Sequence, residues 1–215
     1  MIRKAEASSD ALHRRHLVTP SLLNSWGRIW EVAQTVKESA TDTVCLEDKI
    51  ADAQAKAKEE FLQTLRRIPT PDNEYMAEGR RFEQACYDGD TEFSPIIEGG
   101  CFQIAGSKEV EVGGEPYLMY GRLDVLKGGV IYDIKRVWKY APQKFLGSYQ
   151  HGFYLDLFPE ATRFEYLIFD GRKCHVETYY RDQCRSTLRA IAEFQAWLKA
   201  NGLWETYADK WACKR

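Results

Sequence analysis

Apolar residues at Leu22, Leu23, Trp26, Ile29, Trp30 and Ala33 recur every three or four positions, the spacing that lines one side of a helix. Thr19 followed by Pro20 predicts its start, with Thr19 as N-cap and Pro20 at the first helical position. A second helix is predicted over residues 46–67, rich in Ala, Lys, Glu and Gln and free of Gly and Pro, and broken by Pro69-Thr70-Pro71-Asp72-Asn73. A third is predicted over 74–87, with Tyr75, Met76, Gly79, Phe82 and Cys86 on its apolar face. The period then shortens to two. Strands are predicted over 101–105, 108–112, 117–126 and 130–137, divided by Gly106, Gly113-Gly114 and Gly128-Gly129 and forming a meander. A helix over 145–158 ends at Pro159, strands over 163–169 and 174–180 flank an Asp170-Gly171 turn, and helices over 182–200 and 203–211 are separated by Asn201-Gly202. The first fifteen residues are polar and are expected to fray. No internal repeat or low-complexity tract appears.

Two regions follow from this order. Residues 1–73 read as a helical region packed on the rest, either a lobe under which a single strand threads or a packing layer. Residues 74–215 read as the core, with the C-terminal helices.

The strand pair 117–126 and 130–137 carries the densest chemistry. With Gly128-Gly129 as the central turn residues, position 127 pairs with 130 and therefore 124 with 133. Asp124 and Asp133 are then expected to face each other with Cβ atoms about 5 Å apart. Opposed like charges are destabilising, so the pair invites a divalent cation. Lys135, two residues past Asp133, falls on the same face. The bland alternative is a surface ion network, which balances one acid with Lys135 and leaves the other uncompensated.

Upstream lies Gly79-Arg80-Arg81-Phe82-Glu83 on a predicted helix; downstream lies Gln150-His151-Gly152-Phe153-Tyr154, with Gln150 and Tyr154 on one helical stripe. The order helix Glu, strand Asp, strand Asp-x-Lys, then Gln-x-x-x-Tyr resembles the PD-(D/E)XK nuclease superfamily, in its RecB-type branch. The likeness covers roughly residues 75–180, and its strength lies in the order of four individually short motifs. It implies an α/β (α+β) fold with a restriction-endonuclease-like core, a central mixed sheet flanked by helices. It implies Mg²⁺ or Mn²⁺ held by Glu83, Asp124 and Asp133, with the Ile134 carbonyl as a further ligand, and Lys135 assisting the attacking water. Gln150 and Tyr154 are expected to steady the substrate backbone or the Lys135 region. It further implies a DNA nuclease, most often an exonuclease of recombination or repair in phages and prophages, acting on single-stranded DNA or duplex ends, with a helicase or recombination partner. A structure-specific endonuclease and a catalytically silent binding protein of the same fold are the alternatives.

Composition narrows this further. The chain has 215 residues, 44% of them hydrophobic, enough for one good core with a helical appendage. A net charge of −2 lacks the overall basicity of many nucleic-acid binders, so positive charge must be local, with Arg80-Arg81 and Lys135-Arg136, Lys139 and Lys144 as candidates. No apolar run approaches the roughly 20 residues that span a bilayer, and no apolar segment follows the charged start. No membrane association and a cytoplasmic location are expected. Cysteines at 45, 86, 101, 174, 184 and 213 include no Cys-x-x-Cys pair, and the closely spaced C-terminal trio of iron-sulfur relatives is missing, so neither disulfides nor an iron-sulfur cluster is expected. His13 and His16 lack partners for a metal cage, and His151 is read as exposed or satisfied, though next to Gln150 it could reach a phosphate. No Gly-x-x-x-x-Gly-Lys-Ser/Thr loop occurs, so any ATP-driven motor belongs to a partner. The six tryptophans are read as core, with base stacking by Trp26, Trp30 or Trp138 the less favoured option.

Overall fold

The computed structural model describes residues 15–39 and 45–213; His13 lies outside them. Thr19 caps the first helix through its Oγ1, which accepts the Leu22 N–H at 3.2 Å, and the helix runs Pro20–Ser39 (α1). α2 (Leu46–Leu65) packs along it. Asn73 caps α3 (Glu74–Asp88) by accepting the Met76 N–H at 2.9 Å, and Gly89 in the left-handed region closes it. A short helix, α4 (Ser94–Ile97), follows.

A six-stranded mixed sheet forms the centre: β1 (His16–Val18), β2 (Cys101–Val112), β3 (Glu115–Lys127), β4 (Val130–Arg136), β5 (Arg163–Phe169) and β6 (Cys174–Tyr180). β2, β3 and β4 form the expected antiparallel meander, and α5 (Gln150–Leu157) then crosses over so that β4 and β5 run parallel. β3 is the hub. β2 covers one edge of it, while β1, parallel to Tyr117–Met119, and β4, antiparallel to Val125–Lys127, share the other. α6 (Thr187–Ala200) and α7 (Trp204–Lys210) close the chain.

Each face of the sheet has its own core. On one, α1, α2, α5, α6 and α7 bury Leu22, Trp26, Phe61, Phe153, Phe194 and Tyr207 against Tyr117, Leu123, Ile131 and Tyr166. On the other, α3 and α4 bury Cys86, Phe93 and Ile97 against Val125, Val130, Tyr132, Ile134 and Leu167. Residues 15–73 therefore share the main core.

The structure departs from the pattern in several places. Gly106 does not divide two strands: β2 runs through it, and the missing side chain makes room for Phe158, whose Cζ would lie 2.6 Å from an added Cβ. Its ladder partner Gly121 makes the same room for Tyr154, so this glycine pair lets the end of α5 sit directly on the sheet. The crossover helix starts at Gln150 rather than 145, because the preceding turn is held instead by Asn24 Oδ1 on α1, which accepts the Tyr149 N–H at 2.8 Å. The helix predicted from 182 starts at Thr187 with Ser186 as cap, preceded by a 3-10 turn over Arg181–Gln183. β1 and α4, three and four residues long, are too short to show a period in the sequence.

Candidate active site

The hairpin keeps its predicted register from Lys127↔Val130 to Val125↔Tyr132, and there the ladder stops, one pair short of 124 and 133. Asp124 is the cause. Its Oδ2 accepts the Ile134 N–H at 2.9 Å, so a side chain takes the β4 donor near the point where the two strands part. On its other side the β2–β3 register passes from Phe102↔Val125 to Ile104↔Leu123 without a Gln103–Asp124 pair, and Gln103 sits at φ 54°. The inside-outside alternation slips at the same point: Tyr117, Met119 and Leu123 face the main core, yet Val125 faces the second. Backbone held in this costly region persists only where surrounding contacts enforce it, and such sites cluster at functional positions. The aspartates are thus brought together, but in a seam between strands rather than across a regular ladder.

The seam gathers side chains from both faces. Asp133, 3% exposed, has Lys135 Nζ 2.6 Å from its Oδ2, and its Oδ1 accepts a hydrogen bond from Gln150 Nε2 at the start of α5. The Oδ2 contact is an ion pair without hydrogen-bonding geometry. Half-buried Glu83 comes from α3, its Oε1 accepting from Tyr87 Oη at 2.7 Å and Gln103 Nε2 at 2.9 Å. Gln103 also donates to Tyr87 Oη at 2.9 Å, so the residue whose backbone breaks the ladder also fixes the glutamate. The i, i+4 spacing from Glu83 is the signal in the sequence for Tyr87, and no pattern marks Gln103.

The electrostatics are lopsided: three carboxylates face one ammonium. Burial, then Asp133, pushes the Asp124 carboxyl up to about 8, against the opposing pull of Lys135 and the Ile134 N–H, with Glu83 adding to the rise. Burial raises Asp133 too, with Lys135 and Gln150 opposing and Glu83 reinforcing. Burial alone would lower the Lys135 ammonium, but Asp133, Asp124 and Glu83 together overcome it and hold the group above its ordinary value. Every shift runs towards more bound positive charge, which is the condition a cation satisfies. The donors are oxygens, as a hard divalent ion requires. Among the described residues Asp124 Oδ1 and Glu83 Oε2 make no hydrogen bond, yet no three acidic, histidine or cysteine side chains already converge around one point. The fit is therefore in charge and donor type, and closing on an ion requires side-chain movement.

Tyr154 occupies a different place from the one expected. It is 6% exposed, stacks on Phe164, and donates from its hydroxyl to the Arg122 carbonyl at 2.7 Å, two residues before Asp124. It anchors β3 beside Asp124. Gln150 steadies Asp133. Its substitution by alanine frees the Asp133 carboxylate, and loss of such a supporting hydrogen bond should cost about 10–100-fold in metal affinity or rate, read as a shift in the metal concentration needed for half-maximal activity.

His151 does not reach a phosphate. Its ring is 1% exposed, stacked 4.3 Å from Tyr179, with Nδ1 3.3 Å from Tyr166 Oη. Burial, helped by Arg185, lowers its pKa to about 4. Between that value and the ordinary one near 6.5 the unfolded chain takes up a proton the folded chain refuses, so stability falls as pH drops through this window. His151→Phe keeps the stack and removes the proton. From pH 7.5 to pH 5 the wild type should lose about 2 kcal/mol more stability than the variant, measured as the difference between their melting-temperature changes.

The expected basic clusters are partly neutralised. Arg80 pairs with Asp72 and Arg81 with Glu74, both on the exposed surface, while Arg136 lies 3.8 Å from Glu78. All six cysteines are free thiols. No described helix is long and apolar enough to cross a membrane.

No family model matches the chain, and no curated protein matches it. Among solved structures, SSO0001 is similar with a TM-score of 0.52 and 13% identity over 86% of this chain and 75% of that one. A protein of Eubacterium rectale named "Putative exonuclease" aligns with a TM-score of 0.41 and 13% identity over 98% of this chain and 88% of its own. The likeness to SSO0001 concerns the fold alone.

Proposed function

We propose that the chain is a metal-dependent nuclease of the PD-(D/E)XK type that hydrolyses DNA phosphodiester bonds, an exonuclease working from single-stranded or duplex ends. The observation that carries this reading is the acid cluster of Glu83, Asp124 and Asp133 at the β3–β4 seam, all oxygen donors, with a single ammonium among them. Glu83, Asp124 and Asp133 would hold one or two Mg²⁺ or Mn²⁺ ions, with the Ile134 carbonyl as a further ligand. Bound there, such an ion supplies charge neutralisation at the phosphate and a water that is nucleophilic near neutral pH.

The chain's own groups have distinct tasks. Lys135 lies at the seam with its side chain 31% exposed, and its N–H donors can bind a phosphoryl oxygen and offset the charge that builds up in the transition state. Asp133 keeps that ammonium in place, Gln150 keeps Asp133 in place, and Tyr87 with Gln103 orient Glu83. Tyr154 holds the β3 backbone beside Asp124.

A nuclease fold without turnover is the second reading, favoured by the carboxylates not yet converging. Purified protein incubated with end-labelled linear DNA, single- and double-stranded, and with closed circles separates the readings when Mg²⁺, Mn²⁺ or EDTA is present. Metal-dependent loss of linear DNA with intact circles supports the exonuclease. Nicked circles turn the assignment to an endonuclease, and no cleavage under any metal leaves the silent fold.

A further inference from the structure

Trp138 is 69% exposed and Tyr75 is 41% exposed, and the two rings stack on each other at the surface, centroids 6.0 Å apart and planes 25° from parallel. Spacing in the sequence reads Tyr75 as part of an apolar helix face and Trp138 as core, with base stacking by Trp138 the less favoured option. Their positions in the fold link them to the seam. Tyr75 stands in the first turn of α3, eight residues before Glu83, about 12 Å along the helix. Trp138 follows Lys135 by three residues, in the bend just past the end of β4, so at most about 10 Å of chain separates them. The helix that carries Glu83 and the segment that leaves the strand of Asp133 and Lys135 therefore each contribute one ring to this stacked pair.

Structural need does not explain the indole. Tyr75 Oη already donates to the Arg136 carbonyl at 2.8 Å, and Glu78 lies 3.8 Å from Arg136, so α3 is tied to the end of β4 without it. The Trp138 ring stays open although its neighbour Tyr75 stacks on it and the Arg136 guanidinium carbon lies 5.5 Å from its centre. The adjacent Lys139 side chain makes no ion pair among the described residues, which leaves a cation beside an open aromatic face. Stacked aromatics flanked by cations are the combination by which proteins hold unpaired bases without reading their sequence, because every base has a π-face and every linkage a charge.

We infer that Tyr75 and Trp138 form a stacking platform for an unpaired base of the strand being cleaved, so that the protein selects single-stranded nucleic acid or frayed ends over closed duplex. This rests on the nuclease reading for the word cleaved, but its test does not. Binding is measured by fluorescence anisotropy, in Ca²⁺, with a labelled thymidine oligonucleotide, an abasic oligonucleotide of equal length and charge, and a blunt duplex hairpin. The wild type should bind the thymidine strand about tenfold or more tighter than the abasic strand. Trp138→Ala should bind both alike, and Trp138→Phe should restore the preference; circular dichroism and melting temperature confirm that each variant is folded. A wild type that binds abasic and thymidine strands equally, or binds neither, or a Trp138→Ala variant that keeps the preference, overturns the platform. Base-dependent binding by a protein that cleaves nothing supports the platform while removing the nuclease; metal-dependent cleavage with binding indifferent to bases does the reverse.

Discussion

Asp133→Asn is expected to lower metal-dependent DNA cleavage by about 10³-fold or more while leaving a folded protein. The substitution is nearly isosteric, and its amide oxygen can still accept from Gln150, so the α5 contact survives. It removes one of three anionic groups and the partner that holds Lys135 2.6 Å away. Lys135, part-exposed, can turn to water, so the fold is not left with a stranded buried charge. Initial rates at saturating metal, measured with melting temperature on the same preparation, read the effect; a rate within tenfold of wild type would remove Asp133 from the chemistry.

Asp124→Asn should do something rarer: abolish cleavage and stabilise the metal-free protein. The wild-type carboxyl is raised to about 8 by burial and by Asp133, from an ordinary value near 3.8. The folded state therefore binds this proton more tightly than the unfolded state. The associated stability is fully present at low pH and is lost as pH rises through about 8. Asparagine imitates the protonated acid at every pH and can still accept the Ile134 N–H. The gain should be near zero at pH 4 and reach a few kcal/mol at pH 8.5, about 5–10 °C in melting temperature for a chain of this size. A variant less stable than wild type at pH 8.5 with EDTA would show that burial beside Asp133 does not destabilise the ionised Asp124 carboxylate. Function at a site of crowded acids is commonly maintained at a cost in stability.

Sequence periodicity served well where an element packs with one clear face. The apolar spacing of Leu22, Trp26 and Ile29 marks α1, and strands β5 and β6 match their predicted limits. The Gly128-Gly129 turn fixed the hairpin register as far as Val125↔Tyr132. What pattern could not show is where a ladder is interrupted, because that depends on a long-range contact: Asp124 bonding the Ile134 amide, and Gln103 turning left-handed to support Glu83. Tyr154 has the same origin, its role on α5 being decided by Gly121 on β3. Trp138 and Tyr75 look like core residues by spacing, and only the tertiary arrangement leaves them at the surface. Four short motifs thus name side chains that the fold draws to the seam, Glu83, Asp124, Asp133, Lys135 and Gln150, while the interrupted ladders that join them there leave no mark in the pattern.

The most direct test strips the purified protein with EDTA, confirms its fold, and follows release of labelled nucleotide from linear DNA as Mg²⁺ or Mn²⁺ is returned. The acid cluster predicts no release in EDTA and a rate that rises with either metal to saturation. Equal release in EDTA, or none with either ion from a folded protein, would contradict it.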